Sequence, residues 1–266
     1  MKKKTLIMSL CSLMSIASVA VGSIAYLTST ATVKNQFTVG SIDLQVNETL
    51  VNSQGNPVDE NGNVVDPANP NSGEPARTGE GNQYHLIPGG HYVKDPTVTI
   101  GKDSDSCYVR LLVTISKASE LNTLCQALHA ADPEKYSFGL LQDHVSGYEA
   151  ETWVYAAQTL DEQANMVTYE FRYFDRTNNT DIVSADGTND LVLDPLFDSI
   201  TVPDEVTAAQ MESIQGFEID VVGQAIQTAG FQSADEAWAS FPMADSAADE
   251  NDGEDNTQQD EVEPVV

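Results

Sequence analysis

The sequence predicts a mainly β protein: an antiparallel β-sandwich with a few short inserted helices. Several segments alternate apolar and polar residues with a period of two, which is the pattern of a half-buried strand. The clearest is MVTYEFRYF, residues 166–174. Gly, Pro, Asn and Asp clusters separate these segments, and few stretches show helical spacing. Because strands dominate and need a partner layer, the expected domain over residues 26–243 is two packed sheets.

The predicted strands share this alternation or a run of β-favouring residues, and they are 37–46, 92–100, 107–115, 153–160, 166–174, a short one ending at Pro203, and 217–228. In the first, the alternation slips by one residue at Gly40-Ser41, which predicts a β-bulge. Pro96 places the second strand at a sheet edge or in irregular pairing, because proline has no N–H to donate to a ladder.

Three short helices are predicted, at 118–131, 204–214 and 233–241. The first has leucines at helical spacing and Ser119 at the N-cap position. The second carries acidic residues in its first turn, where they suit the helix dipole. In the third, Ser233 precedes Glu236 by three residues, the pattern of a capping box, and its apolar residues would pack on the sheet.

Two segments lack the alternation of strands. Residues 47–83 are polar and rich in turn dipeptides, so they predict a long loop with a hairpin around Asn61-Gly62 and no core residues, either functional or disordered. Residues 244–266 are acidic and nearly free of large apolar groups. Such a segment buries too little surface to order itself, so a disordered tail is expected.

The N-terminus has the three parts of a secretory signal peptide. Lys2–Lys4 are followed by an uncharged apolar run, and Ser23 and Ala25 place small residues at the two positions that a signal peptidase reads, before Tyr26. This predicts residues 1–25 as a cleaved signal, a secreted protein, and membrane contact only before cleavage. The alternative is a permanent anchor, because the uncharged stretch approaches the roughly 20 residues that span a bilayer.

The charge of the chain restricts its partners. The 266 residues carry a formal net charge of −29, and loss of the three signal lysines would change it to −32. Nucleic acid and anionic membrane surfaces would repel such a chain. The charge favours solubility, cation binding or a basic partner.

Of three cysteines, Cys107 and Cys125 lie outside the predicted signal. Export to an oxidising compartment makes a disulfide between them an open alternative. Two cysteines without nearby histidine spacing do not predict a zinc site.

Three stretches resemble the TasA/camelysin family, exported proteins of Gram-positive bacteria that build biofilm matrix fibres. They are Ala25-Tyr26-Leu27 followed by TSTATVKNQ, Phe37 and VGSIDL; then LIPGGHYVKDPTVTIGKDSDSCYVRLLVTI; and the C-terminal GFQSADEAWASF. The resemblance covers most of residues 1–115 and part of 217–241. It implies a jelly-roll-like β-sandwich and a signal removed by a dedicated SipW-type signal peptidase. It also implies fibre growth in which the N-terminal segment of one subunit pairs with the sheet of the next.

The residues give this implication a physical basis. Cleavage after Ala25 would free a β-favouring arm, and an extended arm can complete an open sheet edge by strand addition. Repeated donation gives a head-to-tail filament of this chain, alone or with other matrix proteins. The arm can also pair within its own domain, and the sequence leaves both arrangements open. The candidate donor residues are Tyr26, Leu27, Thr28, Thr30, Thr32 and Val33.

The sequence does not favour an enzyme, although the family resemblance raises a camelysin-like secreted metalloprotease as an alternative. The four histidines, His85, His91, His129 and His144, form no His-Glu-x-x-His pattern. No Gly-x-Ser-x-Gly elbow, P-loop or Cys-His pair stands at a credible spacing. The sequence therefore predicts no catalytic residues and no required cofactor.

Calcium is a milder chemical hypothesis. The acidic turns near Asp103, Asp105, Asp186 and Asp190 supply oxygen ligands, but none has the full EF-hand spacing. The favoured interpretation is thus an exported matrix protein that polymerises through its N-terminal strand. The alternatives are a monomeric secreted or cell-surface binding module that uses the 47–83 loop, and the metalloprotease.

Overall fold

The computed structural model describes residues 28–32, 36–37, 42–66, 68–69, 71–136 and 144–241, with backbone alone for the first two segments. Within these residues, strands form three antiparallel sheets and three helices lie between or after them. The predicted mainly β fold with short inserted helices is confirmed, and its architecture is that of a β-sandwich.

The strands are β1 Thr28–Thr32, β2 Gln36–Phe37, β3 Leu44–Thr49, β4 Arg77–Thr78, β5 His91–Val93, β6 Thr97–Ile100, β7 Cys107–Ser116, β8 Val145–Ser146, β9 Trp153–Asp161, β10 Met166–Tyr173, β11 Leu191–Val192, β12 Ser199–Thr201 and β13 Ile219–Gln227. The helices are α1 Ala118–Ala131, α2 Ala208–Ser213 and α3 Ala234–Ser240. The largest sheet has six strands in the order β2-β1-β13-β7-β10-β9. A second has the order β11-β6-β3-β4, and a third the order β5-β12-β8.

The main core lies between the six-stranded and four-stranded sheets. Along β7 every second residue from Val109 to Ile115 is buried, and the paired residues of β10 and β13 are buried with them, except for the half-buried Ile219. The four-stranded sheet contributes Leu44 and Val46 from β3 and Ile100 from β6. Each such side chain stabilises the fold by about 1.5–3 kcal/mol when withdrawn from water, so the alternation seen in the sequence fixes which face of each strand points inward.

A smaller cluster forms on the outer face of the large sheet. Trp238 and Ala237 of α3 pack on Tyr108 and Ile226, as expected for the C-terminal helix. The guanidinium of Arg110 lies 4.4 Å from the ring centroid of Trp238. This cation–π contact and the apolar contacts hold α3 against the sheet.

Pro96 divides the predicted strand 92–100 into two. β5 and β6 belong to different sheets, and residues 94–96 connect them. The main chain there forms other bonds: Lys94 N donates to Asp198 O, and Leu196 N donates to Pro96 O. Since Pro96 cannot donate, the chain changes sheets at this point.

The helix starts differ in part from the sequence prediction. The N-cap of α1 is Lys117 rather than Ser119, and the first amide groups are satisfied by Asn165 of the β9–β10 turn. α2 begins at Ala208 with no acidic residue in its first turn; Thr207 and Gln210 form its capping box. The expected N-cap of α3 is confirmed, because Ser233 accepts a bond from Glu236 N.

Residues 47–83 contribute to packing, which corrects the expectation that they contain no core residues. Val51, Val58 and Val65 are buried, and β4 pairs with β3. A bridge between Val58 and Val64 encloses the hairpin predicted at Asn61-Gly62. Isolated valines among polar residues give no periodic signal, so the sequence does not predict their burial.

Candidate functional site

The candidate donor strand lies on β13 of its own chain. β1 pairs antiparallel with β13, with Thr28 opposite Ile226 and Thr32 opposite Val222. β2 adds a short outer pairing, with Thr30 opposite Phe37 and Ala31 opposite Gln36. Tyr26, Leu27 and Val33 lie outside the described residues, as do the predicted signal and its cleavage residues Ser23 and Ala25.

This arrangement makes β13 the acceptor of the N-terminal strand. The other edge of β13 is fully occupied by β7, from Ile219 opposite Ile115 to Gln227 opposite Cys107. Removing β1 would leave a row of unpaired N–H and C=O groups along β13. The structure shows the pairing within one chain, and the same geometry could be formed by β1 of a second copy.

A second candidate site is an open cleft of about 780 Å³. One wall is formed by residues 80–86 at the end of the long polar segment, and the other by residues 211–212 and 214–220. Ile200, Met211, Ile214, Phe217 and Ile219 supply apolar surface. Its volume lies in the range of about 300–1,000 Å³ found for ligand sites, and its lining mixes apolar and polar side chains.

Carboxylates dominate the charge of the cleft. Glu80, Glu212, Glu218 and Asp220 line it, are exposed, and have no ion pair among the described residues. Their field attracts cations and repels anions. The cleft is therefore complementary to a basic partner.

A buried ion pair lies at the wall of the cleft. Lys94 Nζ donates to Glu48 Oε2 at 2.7 Å, and the two side chains are 5% and 0% exposed. Asn82 Nδ2 donates to the other carboxylate oxygen, Oε1, at 2.9 Å. The Tyr84 hydroxyl donates to Val93 O nearby, and burial raises the pKa of Tyr84 above its ordinary value. Because the charges neutralise each other, this network anchors residues 82–84 rather than adding net charge.

The acidic turns proposed for calcium are brought together but do not form a metal cluster. Asp190 Oδ1 accepts a bond from Lys102 N, which links the turn containing Asp103 and Asp105 to the turn containing Asp186. Asp186 Oδ1 accepts bonds from Thr188 N and Asn189 N, and these bonds lower its pKa. Within the described ranges, no three His, Cys, Asp or Glu side chains are arranged to hold a metal ion.

Cys107 and Cys125 are separate thiols in the structure, not a disulfide. Cys107 starts β7, where its backbone pairs with Val183. Burial raises the pKa of the Cys107 thiol to about 12. Cys125 lies on the buried face of α1, 1% exposed. The raised pKa makes the Cys107 thiol a poor nucleophile.

The structure brings Cys125 and His144 together, which the sequence analysis did not predict. Cys125 Sγ lies 3.3 Å from His144 Nε2. The two residues are 19 apart in sequence, Cys125 in α1 and His144 in the turn before β8, so no local motif signals the contact. A Cys–His pair is the core of some nucleophilic sites, but this sulfur is covered, so a substrate cannot reach it in this conformation. The contact is a part-buried hydrogen bond that links α1 to His144.

Comparison with known proteins gives no match to a protein-family model, a curated protein or a solved structure. Among the residues that the structure describes, no helix has the length and apolar character needed to cross a membrane. The class of the protein is therefore set by its fold and surface: a β-sandwich whose N-terminal strand completes its main sheet.

Proposed function

We propose that this chain is an exported structural protein of the extracellular or biofilm matrix, and that it assembles by donating β1 to the next copy. One observation carries the proposal: β1, at the start of the described chain, pairs along β13 in the largest sheet. A terminal strand can leave and be replaced by the equivalent strand of another copy without rearrangement of the core.

Two features of the sequence support the proposal. The N-terminal 25 residues have the pattern of a secretory signal, whose removal would release the arm that contains β1. The stretches quoted above resemble the TasA/camelysin family of exported fibre proteins. Under this proposal the chain has no enzymatic activity, and its partners are further copies, other matrix proteins and a SipW-type signal peptidase before secretion.

Electron microscopy of the purified protein tests the assembly. Thr30 pairs with Gln224 on one side and Phe37 on the other. We expect the Thr30→Pro variant to form no fibres, because proline removes a backbone donor and clashes with the ladder. Deletion of residues 26–36 should have the same effect. The Thr30→Val variant is the matched control and should form fibres, because valine favours strands.

A peptide experiment separates strand donation from general destabilisation. A synthetic peptide of residues 26–36 should bind the deletion variant and raise its melting temperature, since it would fill the edge of β13. A peptide with Thr30 replaced by proline should not. Fibres formed by the deletion variant would contradict the proposal.

The cleft supports a second function, that of a binding module for a basic partner. Residues 80–83, the end of the polar segment 47–83, line this cleft, which supports the proposal that the segment contributes to a contact surface. A lysine-rich peptide should bind, and a Glu218→Gln/Asp220→Asn variant should bind it at least about tenfold more weakly. The control is Glu134→Gln/Glu162→Gln, two exposed acids that do not line the cleft. Equal affinity of both variants would exclude this function for the cleft.

A further inference from the structure

The outer edge of β9 is the longest strand edge in the main sheet that has no neighbouring strand among the described residues. β9 is the last strand of the six-stranded order and has nine residues. Residues 155–161 are exposed, and Leu160 is 56% exposed although its partner Val167 is 1% exposed. The face of the sheet that packs in the core is therefore exposed to solvent at β9.

Only part of β9 is a regular free edge. The pairing with β10 shifts between Tyr155 and Ala157, so Ala156 is the extra residue of a bulge. At the start of the strand, the Tyr148 hydroxyl donates to Trp153 O. Bulges and covering side chains protect an edge from pairing. From Ala157 to Asp161 the ladder with β10 is regular, and no described strand pairs with the opposite backbone edge.

From Ala157 to Leu160, this open segment lacks the charges and prolines that usually protect an exposed strand edge. Its five residues, 157–161, include a single charged side chain, Asp161 at the end, and no proline, in a chain of net charge −29. Exposed edges in monomeric proteins usually carry lysine, proline or inward-pointing charges that prevent pairing. Two copies can therefore approach along residues 157–160 without opposing carboxylates.

A row of threonines indicates which partner would fit. Thr159 pairs with Thr168 on β10, and Thr168 pairs with Thr114 on β7. The hydroxyl oxygens of Thr168 and Thr114 are 2.9 Å apart. Directly opposed residues share one face of a sheet, so Thr159 stands at the open end of this row. A second Thr159 across the edge would extend the row with another favourable cross-strand pair.

We propose that two copies of this chain form a dimer by antiparallel pairing of β9 with β9, centred on Thr159. In this register Ala157 lies opposite Asp161 of the partner, and Gln158 lies opposite Leu160 of the partner. The two Asp161 carboxylates are then about 13 Å apart, beyond the screening length of about 8 Å at physiological salt. Parallel pairing would place them about 5 Å apart, so charge selects the antiparallel arrangement.

The dimer is independent of the proposed exchange of β1, which uses the opposite side of the sheet. Five paired residues form a small contact, so we expect a weak dimer with a dissociation constant between about 1 µM and about 1 mM. Native mass spectrometry and sedimentation velocity of the full chain over this range measure it. A wild-type protein that stays monomeric throughout would overturn the proposal.

Charge reversal at the centre of the pairing identifies the interface. The Thr159→Lys and Thr159→Glu variants should each dissociate at least about tenfold more readily, because like charges would face each other. Mixing the two variants should produce a heterodimer that neither forms alone. The matched controls, Thr188→Lys and Thr188→Glu, change an exposed threonine outside β9 and should behave as wild type. Failure of the mixture to form a heterodimer would overturn the register.

The same samples separate this dimer from the fibre. The Thr30→Pro variant should keep the β9 dimer while losing fibres. Loss of both in Thr30→Pro would assign dimerisation to the N-terminal strand and would overturn the pairing of β9 with β9.

Discussion

Removing either Glu48 or Lys94 alone should reduce the stability of the fold more than removing both side chains together. Both side chains are almost completely withdrawn from water, and Asn82 holds the second oxygen of the carboxylate. The desolvation of two charges offsets much of their attraction, so the pair adds little net stability. A single unpaired charge would keep the desolvation cost without the attraction.

We therefore expect Lys94→Met to lower the free energy of unfolding by about 3–5 kcal/mol. The double variant Glu48→Leu/Lys94→Met should recover much of this loss. Urea denaturation measures both. The exposed pair Arg176 and Glu151 gives the control: Glu151→Gln should change stability by less than about 1 kcal/mol. A double variant less stable than Lys94→Met would contradict the argument.

Ionisation of Glu205 makes the stability of the protein depend on pH in the acidic range. Hydrogen bonds from Lys135 and Tyr136 lower the pKa of Glu205 from 4.5 to about 2. Since the fold favours the ionised carboxylate, its contribution is complete above pH 4.5 and is lost as the pH falls towards about 2.

We expect the melting temperature of Glu205→Gln to fall less between pH 5 and pH 2 than that of the wild type. Lys135→Met should reduce the pH dependence in the same window, because it removes the first of the two donors. Differential scanning calorimetry at a series of pH values is the measurement. Identical slopes for all three proteins would show that the ion pair does not form in solution.

At the scale of elements, one turn residue joins a hairpin to a helix. Asn165 lies in the β9–β10 turn with φ of 55°, in the left-handed region. Its carbonyl accepts from Ala118 N, its side-chain oxygen accepts from Ser119 N, and its amide donates to Glu120. A helix start is thus capped by a residue 46 positions further along the chain.

Two substitutions separate the cap from the backbone conformation of Asn165. Asn165→Gly loses the side-chain cap but tolerates a positive φ, so it should cost about 1 kcal/mol of unfolding free energy. Asn165→Ala loses the cap and adds strain, so it should cost about 1–2 kcal/mol more. Chemical denaturation compares them. Equal losses would mean that the backbone conformation contributes nothing.

The hairpin of β9 and β10 shows how much of the fold the sequence could predict. The alternation in residues 166–174 predicted β10 because burial on one face imposes a period of two on the side chains. The cap from Asn165 and the contact between Cys125 and His144 join residues distant in sequence, so neither leaves a local pattern. The cleft was not predicted for the same reason: its walls come from residues 80–86 and 211–220, which approach only after folding. The sequence predicts that residues 28–32 favour a strand, but only the tertiary structure shows that this strand pairs with β13.

At the scale of the molecule, net charge opposes every proposed contact between copies. The full chain carries −29, and loss of the three signal lysines would make it −32, so approach of two copies is repulsive at low ionic strength. We expect fibres to form faster and dimers to bind more tightly as salt is raised from about 10 mM to about 150 mM. The reason is that the screening length falls from about 30 Å to about 8 Å. Light scattering and sedimentation velocity measure the two processes. Weakening with salt would indicate that attractive charge pairs hold the copies together.

The occupied edge of β13 has a kinetic consequence. Each subunit already has the bonds that a neighbour's β1 would offer, so exchange breaks and remakes the same pairs with little change in energy. Growth should then wait on the spontaneous opening of an arm, giving a lag phase that preformed fibre ends abolish. A resting pool of self-closed subunits would remain dispersed until such a seed appears, which lets the timing of assembly be set by nucleation rather than by synthesis.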